Sequence, residues 1–361
     1  MALIKEPYGL VYNTDGSVCT TVRPDQIPFQ GVKSFAVETG TTNYVLFPVS
    51  FSTSPAGVSI EYLDDYTAKV TVTDATQITK DTDIIFKGGR TVDANTTVTI
   101  SEYVESTNTS NILPRVPGFG VMTDHEGKRY YKTITHSKSW LFQVGVRILT
   151  TAVNGDYIIV SYPQIEIKPF ASSFVIGSRP NGRLVIPVED LKFDIANDDW
   201  VISCWKYPVA THTNGLNGHS INSFGRYTSG NTEGYIWWGK ENNANTFRIN
   251  ALYNDGTNVS DISETFDPNW YFKNWHYEVI LKNTNTIEYW VDGNLECSLN
   301  LTKDLNNNFT VGLTMSGYGG QNPSNSLITN LLVDKYTDKW TPEYINYIYK
   351  NKIRFNVGSN F

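Results

Sequence analysis

Apolar and polar residues alternate with a period of two along much of the chain, the pattern of β-strands with one buried face. This alternation, or an enrichment in β-branched and aromatic residues, predicts seven strands, at residues 42–51, 57–62, 68–73, 96–100, 130–134, 141–149 and 157–162. Clusters of Pro, Gly, Asn and Asp separate them and predict turns. The first hundred residues show no helical periodicity, so a β-sandwich is expected there.

Breaks in this pattern predict the domain organisation. The polar segment 104–113 (VESTNTSNIL) is expected to be a linker. Gly and Pro cluster at 177–182 (GSRPNG), which predicts a second boundary. We therefore expect an N-terminal β domain at 1–105, a β region at 106–177 that is either separate or one unit with the first, and a third domain at 178–361.

The strongest local signal is the segment 275–293, WHYEVILKNTNTIEYWVDG. Apolar residues alternate along two consecutive stretches, first Trp275, Tyr277, Val279 and Leu281, then Ile287, Tyr289 and Val291. The polar run 282–286 connects them, which predicts a β-hairpin with one consistently apolar face. The Asp292-Gly293 pair that follows predicts a tight turn.

One helix is expected, near the C-terminal end of the chain. Thr341 is a favourable N-cap residue, and Pro342 suits the first helical position. Trp340 and Ile345 have the spacing of a hydrophobic staple across the helix start. The pattern predicts a short amphipathic helix that runs to Lys352.

At the hairpin the chain resembles a known family. Trp275-His276, followed by the run 289–293 (YWVDG), resembles the "WHH … YVDG" hairpin of laminin-G-like and pentraxin-like domains. The segments 199–205 (DWVISCW), 221–238 and 331–349 resemble further elements of that family, in the same order. Tyr277 replaces the second His of the motif, and 340–342 (WTP) replaces its usual Leu-Ser pair. The resemblance covers about residues 180–353 and implies a concanavalin A-like β-sandwich with one short C-terminal helix.

A second resemblance concerns the segment 155–174, GDYIIVSYPQIEIKPFASSF. It is similar to the last strand of jelly-roll modules that precede lectin-like domains in bacteriophage tail proteins. The fold class expected for the whole chain is therefore all-β, with an N-terminal β-sandwich or jelly roll before the concanavalin A-like sandwich. The resemblance implies a homotrimeric virion appendage (tail, baseplate or capsid fibre) that contacts other virion proteins and binds host surface polysaccharide.

Charge and composition exclude several other classes. The chain has 29 basic and 36 acidic residues, a formal net charge of −7, and no concentrated basic run, so nucleic acid is not an expected partner. No stretch approaches eighteen apolar residues, and no apolar signal segment opens the chain, so neither membrane insertion nor secretion is expected. Three widely spaced cysteines do not predict a disulfide framework.

The aromatic content is high, with 22 Tyr, 17 Phe and 9 Trp. Such rings either fill sandwich cores or stack on the apolar face of a sugar. Within 234–238 (GYIWW), alternation places Tyr235 and Trp237 on one face of a strand and Trp238 on the other. These three residues, with His212 in a Gly/Asn-rich loop, are the candidate ligand contacts. Which face binds stays open, and core packing explains all three rings equally well.

Acidic residues suggest a metal site more readily than a catalytic one. Asp255, Asn258 and Asp261, in the run 254–261 (NDGTNVSD), offer oxygen ligands of the kind that Ca²⁺ prefers, although an ordinary Asx-rich turn gives the same pattern. The Glu-x-Asp-x-x-Glu signature of β-glucanases is absent, so an enzyme is not expected. The expected function is adhesion through a surface glycan. A wall-polysaccharide depolymerase and a structural virion protein without a ligand stay as alternatives.

Overall fold

The structure is a computed structural model that describes residues 35–38, 40–172, 174–179, 184–209, 220–226, 232–240, 245–315 and 325–353. These residues form antiparallel sheets arranged as two β-sandwiches that follow each other along the chain. The expected all-β fold with one short helix near its C-terminal end is confirmed. Among these residues, no helix combines the length and the apolar character needed to span a membrane.

The first half of the chain contributes fifteen strands. They are β1 (Phe35–Val37), β2 (Thr41–Thr42), β3 (Val58–Tyr62), β4 (Thr67–Val72), β5 (Thr82–Ile85), β6 (Arg90–Val92), β7 (Thr97–Thr107), β8 (Ile112–Val116), β9 (Gly120–Val121), β10 (Asp124–Glu126), β11 (Arg129–Thr135), β12 (Trp140–Phe142), β13 (Gly145–Ile148), β14 (Tyr157–Glu166) and β15 (Ser178–Arg179). A six-stranded sheet has the order β10-β11-β7-β14-β4-β3, and a four-stranded sheet has the order β5-β13-β8-β9. β6 and β12 form a separate ribbon.

The two sheets of this N-terminal sandwich share one core of β-branched and aromatic residues. Val70, Ile100 and Ile158 enter it from the six-stranded sheet, and Ile84 and Val146 enter it from the four-stranded sheet. Each of these five side chains is at most 1% exposed. Alternation along the strands therefore predicts the core correctly, because every second side chain points between the sheets.

The predicted linker 104–113 is wrong. β7 extends to Thr107 and β8 begins at Ile112, so the segment holds two strand ends and a short turn. The polar residues lie on the exposed end of β7, while Ile112 is 1% exposed in the core. β7 also pairs with β14 along its length, so strands from both sides of residue 105 share one sheet.

The second half of the chain contributes eleven strands and two helices. They are β16 (Leu184–Ile186), β17 (Trp200–Pro208), β18 (Ser220–Gly225), β19 (Tyr235–Lys240), β20 (Phe247–Leu252), β21 (Asn258–Ile262), α1 (Pro268–Tyr271), β22 (His276–Asn283), β23 (Thr286–Val291), β24 (Asn294–Asn300), β25 (Leu313–Met315), β26 (Ser326–Lys335) and α2 (Pro342–Lys350). The first sheet of this C-terminal sandwich, the helix-side sheet, has the order β1-β26-β17-β22-β23-β24. The second, the Trp237 sheet, has the order β16-β25-β18-β19-β20-β21.

The predicted hairpin is confirmed and consists of β22 and β23, but the prediction that it has one consistently apolar face is wrong. Val279 lies opposite Trp290, and Ile280 lies opposite Tyr289, so the two predicted apolar sets point to opposite sides of the sheet. Tyr289 and Ile280 enter the core between the sheets, while Val279 and Trp290 lie on the outer side. Both faces of the hairpin are therefore buried, which alternation within one strand cannot reveal.

The outer side of the hairpin is buried because α2 packs against it. Thr341 caps this helix by accepting a hydrogen bond from the backbone N–H of Tyr344 at 3.3 Å, as the sequence predicts. Ile345 and Ile348 are fully buried against the helix-side sheet, and Trp340 is 3% exposed beside them. The helix thus closes one outer face of the sandwich.

The two sandwiches also contact each other. β1 precedes the N-terminal sandwich in the chain, yet it pairs with β26 and extends the helix-side sheet. Phe170, at the end of the N-terminal sandwich, packs in a cluster with Tyr207 and Leu327. The ammonium group of Lys273 donates a hydrogen bond to the Tyr131 hydroxyl at 2.6 Å. The boundary near 177–182 thus separates strands that nevertheless share an interface.

Candidate functional site

Strand β19 carries the aromatic residues that the sequence singled out, and the structure assigns its two faces. Ile236 and Trp238 point into the core between the sheets, where Trp238 packs against Phe224 with ring centroids 5.8 Å apart. Trp238 is 1% exposed and is therefore a core residue. Its buried position does not fit the prediction that it contacts a ligand. Tyr235 and Trp237 point to the outer face of the Trp237 sheet.

The strand register aligns a row of polar side chains with Trp237 on that outer face. Trp237 lies opposite Ser223 on β18 and opposite Asn250 on β20. Beyond these, Ser223 lies opposite Thr314 on β25, and Asn250 lies opposite Ser260 on β21. Directly opposed residues share a face, so one indole ring lies in the middle of a line of hydroxyl and amide groups.

Exposure along this row increases toward β21, the edge strand. Thr314 is 1% exposed at one end, whereas Trp237 and Asn250 are half-buried and Ser260 is exposed. Tyr235, the other predicted contact on this face, is only 2% exposed, and its hydroxyl donates a hydrogen bond to the Asn258 side-chain oxygen. The accessible surface is therefore centred on Trp237, Asn250 and Ser260.

Two polar atoms of the row are buried and have no hydrogen-bond partner among the residues that the structure describes. They are Oγ1 of Thr314 and Oδ1 of Asn250. Buried polar atoms are nearly always paired, because leaving one unpaired costs about 1–3 kcal/mol. Both atoms lie on the side of the sheet that carries Trp237, and neither is itself accessible to solvent. The sequence missed both residues, since only the strand register places them beside the indole.

The predicted calcium ligands do not converge on one point. Asp255 forms an ion pair with Lys303 at 2.6 Å, and this interaction lowers the pKa of Asp255 to about 2. Asn258 accepts the hydrogen bond from Tyr235, while Asp261 accepts one from the backbone N–H of Ser298 at 2.8 Å. The odd spacing of Asn258 and Asp261 on β21 turns their side chains to opposite faces. No shared coordination geometry is present, and the calcium site stays a prediction.

His212, the fourth predicted ligand contact, lies outside the described residues. Among the residues that are described, no group of three His, Cys, Asp or Glu side chains is arranged to hold a metal ion.

A set of charged and polar groups is buried between the two sheets, below the Trp237 face. Glu278 on β22 accepts hydrogen bonds from the Tyr271 hydroxyl at 2.8 Å and from the Asn222 amide at 3.3 Å. The ammonium group of Lys206 lies 3.6 Å from the same carboxylate and donates to the Ser220 carbonyl oxygen. Burial, together with the negative charge of Glu278, raises the pKa of Tyr271 well above its usual value. These groups are at most 2% exposed, so they stabilise the interior and do not contact a ligand at the surface.

Comparison with known proteins gives structural neighbours only. The sequence matches no protein-family model, and the search of curated proteins gives no match. One neighbour is domain 4 of AbnA, a GH43 extracellular arabinanase from Geobacillus stearothermophilus in complex with arabinotriose, with 10% identity, a TM-score of 0.33, and coverage of 46% of this chain and 71% of that one.

Two further neighbours are also β-sandwich domains. The CBM40 of Ruminococcus gnavus IT-sialidase, bound to α2,3-sialyllactose, has 12% identity, a TM-score of 0.32, and coverage of 43% of this chain and 84% of that one. The binding domain of botulinum neurotoxin serotype D has 13% identity and a TM-score of 0.34 over 47% of this chain, and the match spans 40% of the toxin chain. Likeness at these TM-scores carries no inference about this chain, so the fold assignment rests on the sheet order.

Proposed function

We propose that this protein binds a glycan through the outer face of the Trp237 sheet. The observation that carries the proposal is the accessible part of the row, in which Trp237 lies beside Asn250 and Ser260. An aromatic ring flanked by hydrogen-bonding groups suits a sugar, which has both an apolar ring face and hydroxyl groups. The opposite outer face of the sandwich is covered by α2.

We further propose that the setting is adhesion of a virion appendage to host surface polysaccharide. Support comes from the sequence resemblance, in which a jelly-roll-like unit is followed by a lectin-like domain. In this proposal the N-terminal sandwich contacts other virion proteins, the chain assembles as a homotrimer, and the C-terminal sandwich faces the host. The described site presents no pair of carboxylates, so binding without hydrolysis is the function that its residues favour over a depolymerase.

The test of glycan binding compares two substitutions on this face with one on the opposite face. Trp237→Ala removes the ring, and we expect binding of the purified full-length protein to host cells or a glycan array to fall by about tenfold or more. Asn250→Ala removes a half-buried amide beside the ring, whose oxygen has no hydrogen-bond partner among the described residues, so it is expected to weaken binding without lowering the unfolding temperature. Tyr347→Ala, on the exposed side of α2, is the control and is expected to bind normally.

Three results contradict the proposal. One is binding to host cells that survives both Trp237→Ala and Asn250→Ala unchanged. Another is an equal loss of binding in Tyr347→Ala, because that residue lies on the other side of the sandwich. The third is a wild-type protein that binds neither host cells nor any glycan, which is the behaviour of a purely structural virion protein.

A further inference from the structure

The N-terminal sandwich presents a tryptophan of its own at the surface. Of the nine Trp residues in the chain, all of which lie within the described residues, Trp140 is the one whose side chain is exposed. It is 40% exposed at the start of β12, whereas Trp200, Trp205 and Trp238 are at most 1% exposed. An exposed indole presents a flat apolar surface to the solvent.

The indole of Trp140 is held rigidly from behind. Gly118 lies against it so closely that a Cβ atom on this glycine would come within 2.9 Å of Cζ2. Gly118 has a φ of +84°, so both the turn and the close approach require glycine. Phe119 and His136 contact the indole at steep angles, with ring centroids 5.4 and 5.1 Å from it. These contacts fix the ring before a ligand binds, so the Trp140 side chain loses little conformational entropy when a ligand stacks on it.

The surroundings of Trp140 are polar. The turn 137–139 (SKS) beside it is exposed, and the His136 ring nitrogen Nδ1 lies 2.9 Å from the carbonyl oxygen of Lys138. The neighbouring Leu141 is 49% exposed but points to the opposite side of the ribbon, because side chains alternate along a strand. The apolar patch is therefore about one ring wide. A stable protein–protein interface buries roughly 800 Å² on each partner, far more than one ring covers.

We propose that Trp140 is a second carbohydrate-binding site, at which the ring C–H face of a pyranose stacks on the exposed side of the indole. The turn 137–139 and His136 supply hydrogen-bonding groups to the sugar hydroxyls. The ligand class is a neutral hexose in a polysaccharide chain, since an aromatic ring binds the apolar face of a sugar and not its charge. This site lies in the other sandwich from the Trp237 face and does not depend on that face binding glycan.

The test is affinity electrophoresis of the full-length protein in gels that contain one soluble neutral hexose polysaccharide each, namely a β-glucan, a galactan or a mannan. Trp140→Ala, Trp140→Phe, Leu141→Ala and Trp237→Ala are compared, together with the Trp140→Ala/Trp237→Ala double variant. We expect Trp140→Ala to weaken retardation about tenfold in at least one gel that still retards Trp237→Ala. Trp140→Phe keeps a ring and is expected to be intermediate, and Leu141→Ala is expected to match the wild type.

Several outcomes would overturn the second site. It is rejected if Trp140→Ala is retarded like the wild type in every gel, if Leu141→Ala loses as much as Trp140→Ala, or if no gel retards the Trp237→Ala variant. If Trp140→Ala lowers the unfolding temperature, its loss of binding is not informative, and the Trp140→Phe variant is used instead. The site is then rejected if Trp140→Phe is retarded as strongly as the wild type. Loss of binding in Trp237→Ala alone would instead support only the face on the C-terminal sandwich.

Discussion

Glu278 in the C-terminal sandwich and Glu102 in the N-terminal sandwich are both buried, but their surroundings differ. Glu278 of the C-terminal sandwich is 1% exposed and has Tyr271, Asn222 and Lys206 as partners. Glu102 of the N-terminal sandwich is completely buried, and within the part of the chain that the structure describes neither of its carboxyl oxygens has a hydrogen-bond partner. A carboxyl group with partners keeps its charge at lower cost, whereas an unpaired one is forced toward its neutral form.

This difference separates two kinds of buried charge. The groups around Glu278 connect β17, β18 and β22, that is, strands of both sheets, so they fix the position of the Trp237 sheet over the helix-side sheet. Glu102 lies two residues after Ile100, so its side chain points to the core side of β7, where no described group forms a hydrogen bond with its carboxyl oxygens. We therefore expect the partnered glutamate to stabilise its sandwich when intact and the lone glutamate to destabilise its own.

The largest expected effect comes from breaking the partnered group. Glu278→Leu leaves the buried ammonium of Lys206 without its counter-charge, and we expect it to lower the free energy of unfolding by about 3–5 kcal/mol. The double variant Lys206→Met/Glu278→Leu removes both charges and is expected to recover most of that loss. Urea unfolding followed by tryptophan fluorescence measures both, because the C-terminal sandwich holds eight of the nine Trp residues. If Glu278→Leu alone is as stable as the wild type, the ion pair between Lys206 and Glu278 does not stabilise the sandwich.

The next effect concerns the second core, beneath α2. Ile348 is fully buried between the helix and the helix-side sheet, so Ile348→Ala is expected to cost about 2–4 kcal/mol through lost contacts and the cavity it leaves. Tyr347, the adjacent helical residue, is 57% exposed, and Tyr347→Ala serves as the matched control with a change near zero. Thermal unfolding of the two variants measures both changes in stability. Equal effects would show that the helix does not pack as described.

The periodic elements of this fold could be predicted from the sequence alone. The hairpin at 275–293 and the helix after Thr341 both follow from local patterns that act within a few residues, namely alternation and capping. The assignment of 104–113 as a linker failed because polarity on the exposed side of β7 and β8 resembles the polarity of a loop.

The candidate site could be predicted only in part. Alternation placed Tyr235 and Trp237 on one face, but it could not identify the face that is core. Asn250 and Thr314 could not be found at all, because they reach Trp237 only through the pairing of strands that are distant in sequence. Pairing depends on the register of whole strands, which no short segment of the sequence contains.

The last prediction concerns Glu102 and the pH dependence of the N-terminal sandwich. Burial raises the pKa of Glu102 well above 4.5. The nearby backbone N–H of Arg115 lowers this pKa to a smaller extent, although its geometry is not that of a hydrogen bond. Above about pH 4.5 the unfolded chain releases this proton while the folded protein retains it, so stability falls as pH rises toward the folded pKa. Below that pH both states are protonated, and the cost disappears.

Glu102→Gln removes the titration and is expected to make the N-terminal sandwich about 1–3 kcal/mol more stable near pH 7, with little change at pH 4. Hydrogen exchange of the β7 amides at the two pH values measures this, since tryptophan fluorescence reports mainly on the other sandwich. Glu105→Gln is the matched control, because Glu105 lies on the same strand but is partly exposed and hydrogen-bonded to Ser161. If β7 protection rises equally at both pH values, or rises as much in the control, Glu102 is not the buried acid that weakens this sandwich. An increase confined to neutral pH and to Glu102→Gln would show that a buried carboxyl group without partners lowers stability once the unfolded chain releases its proton.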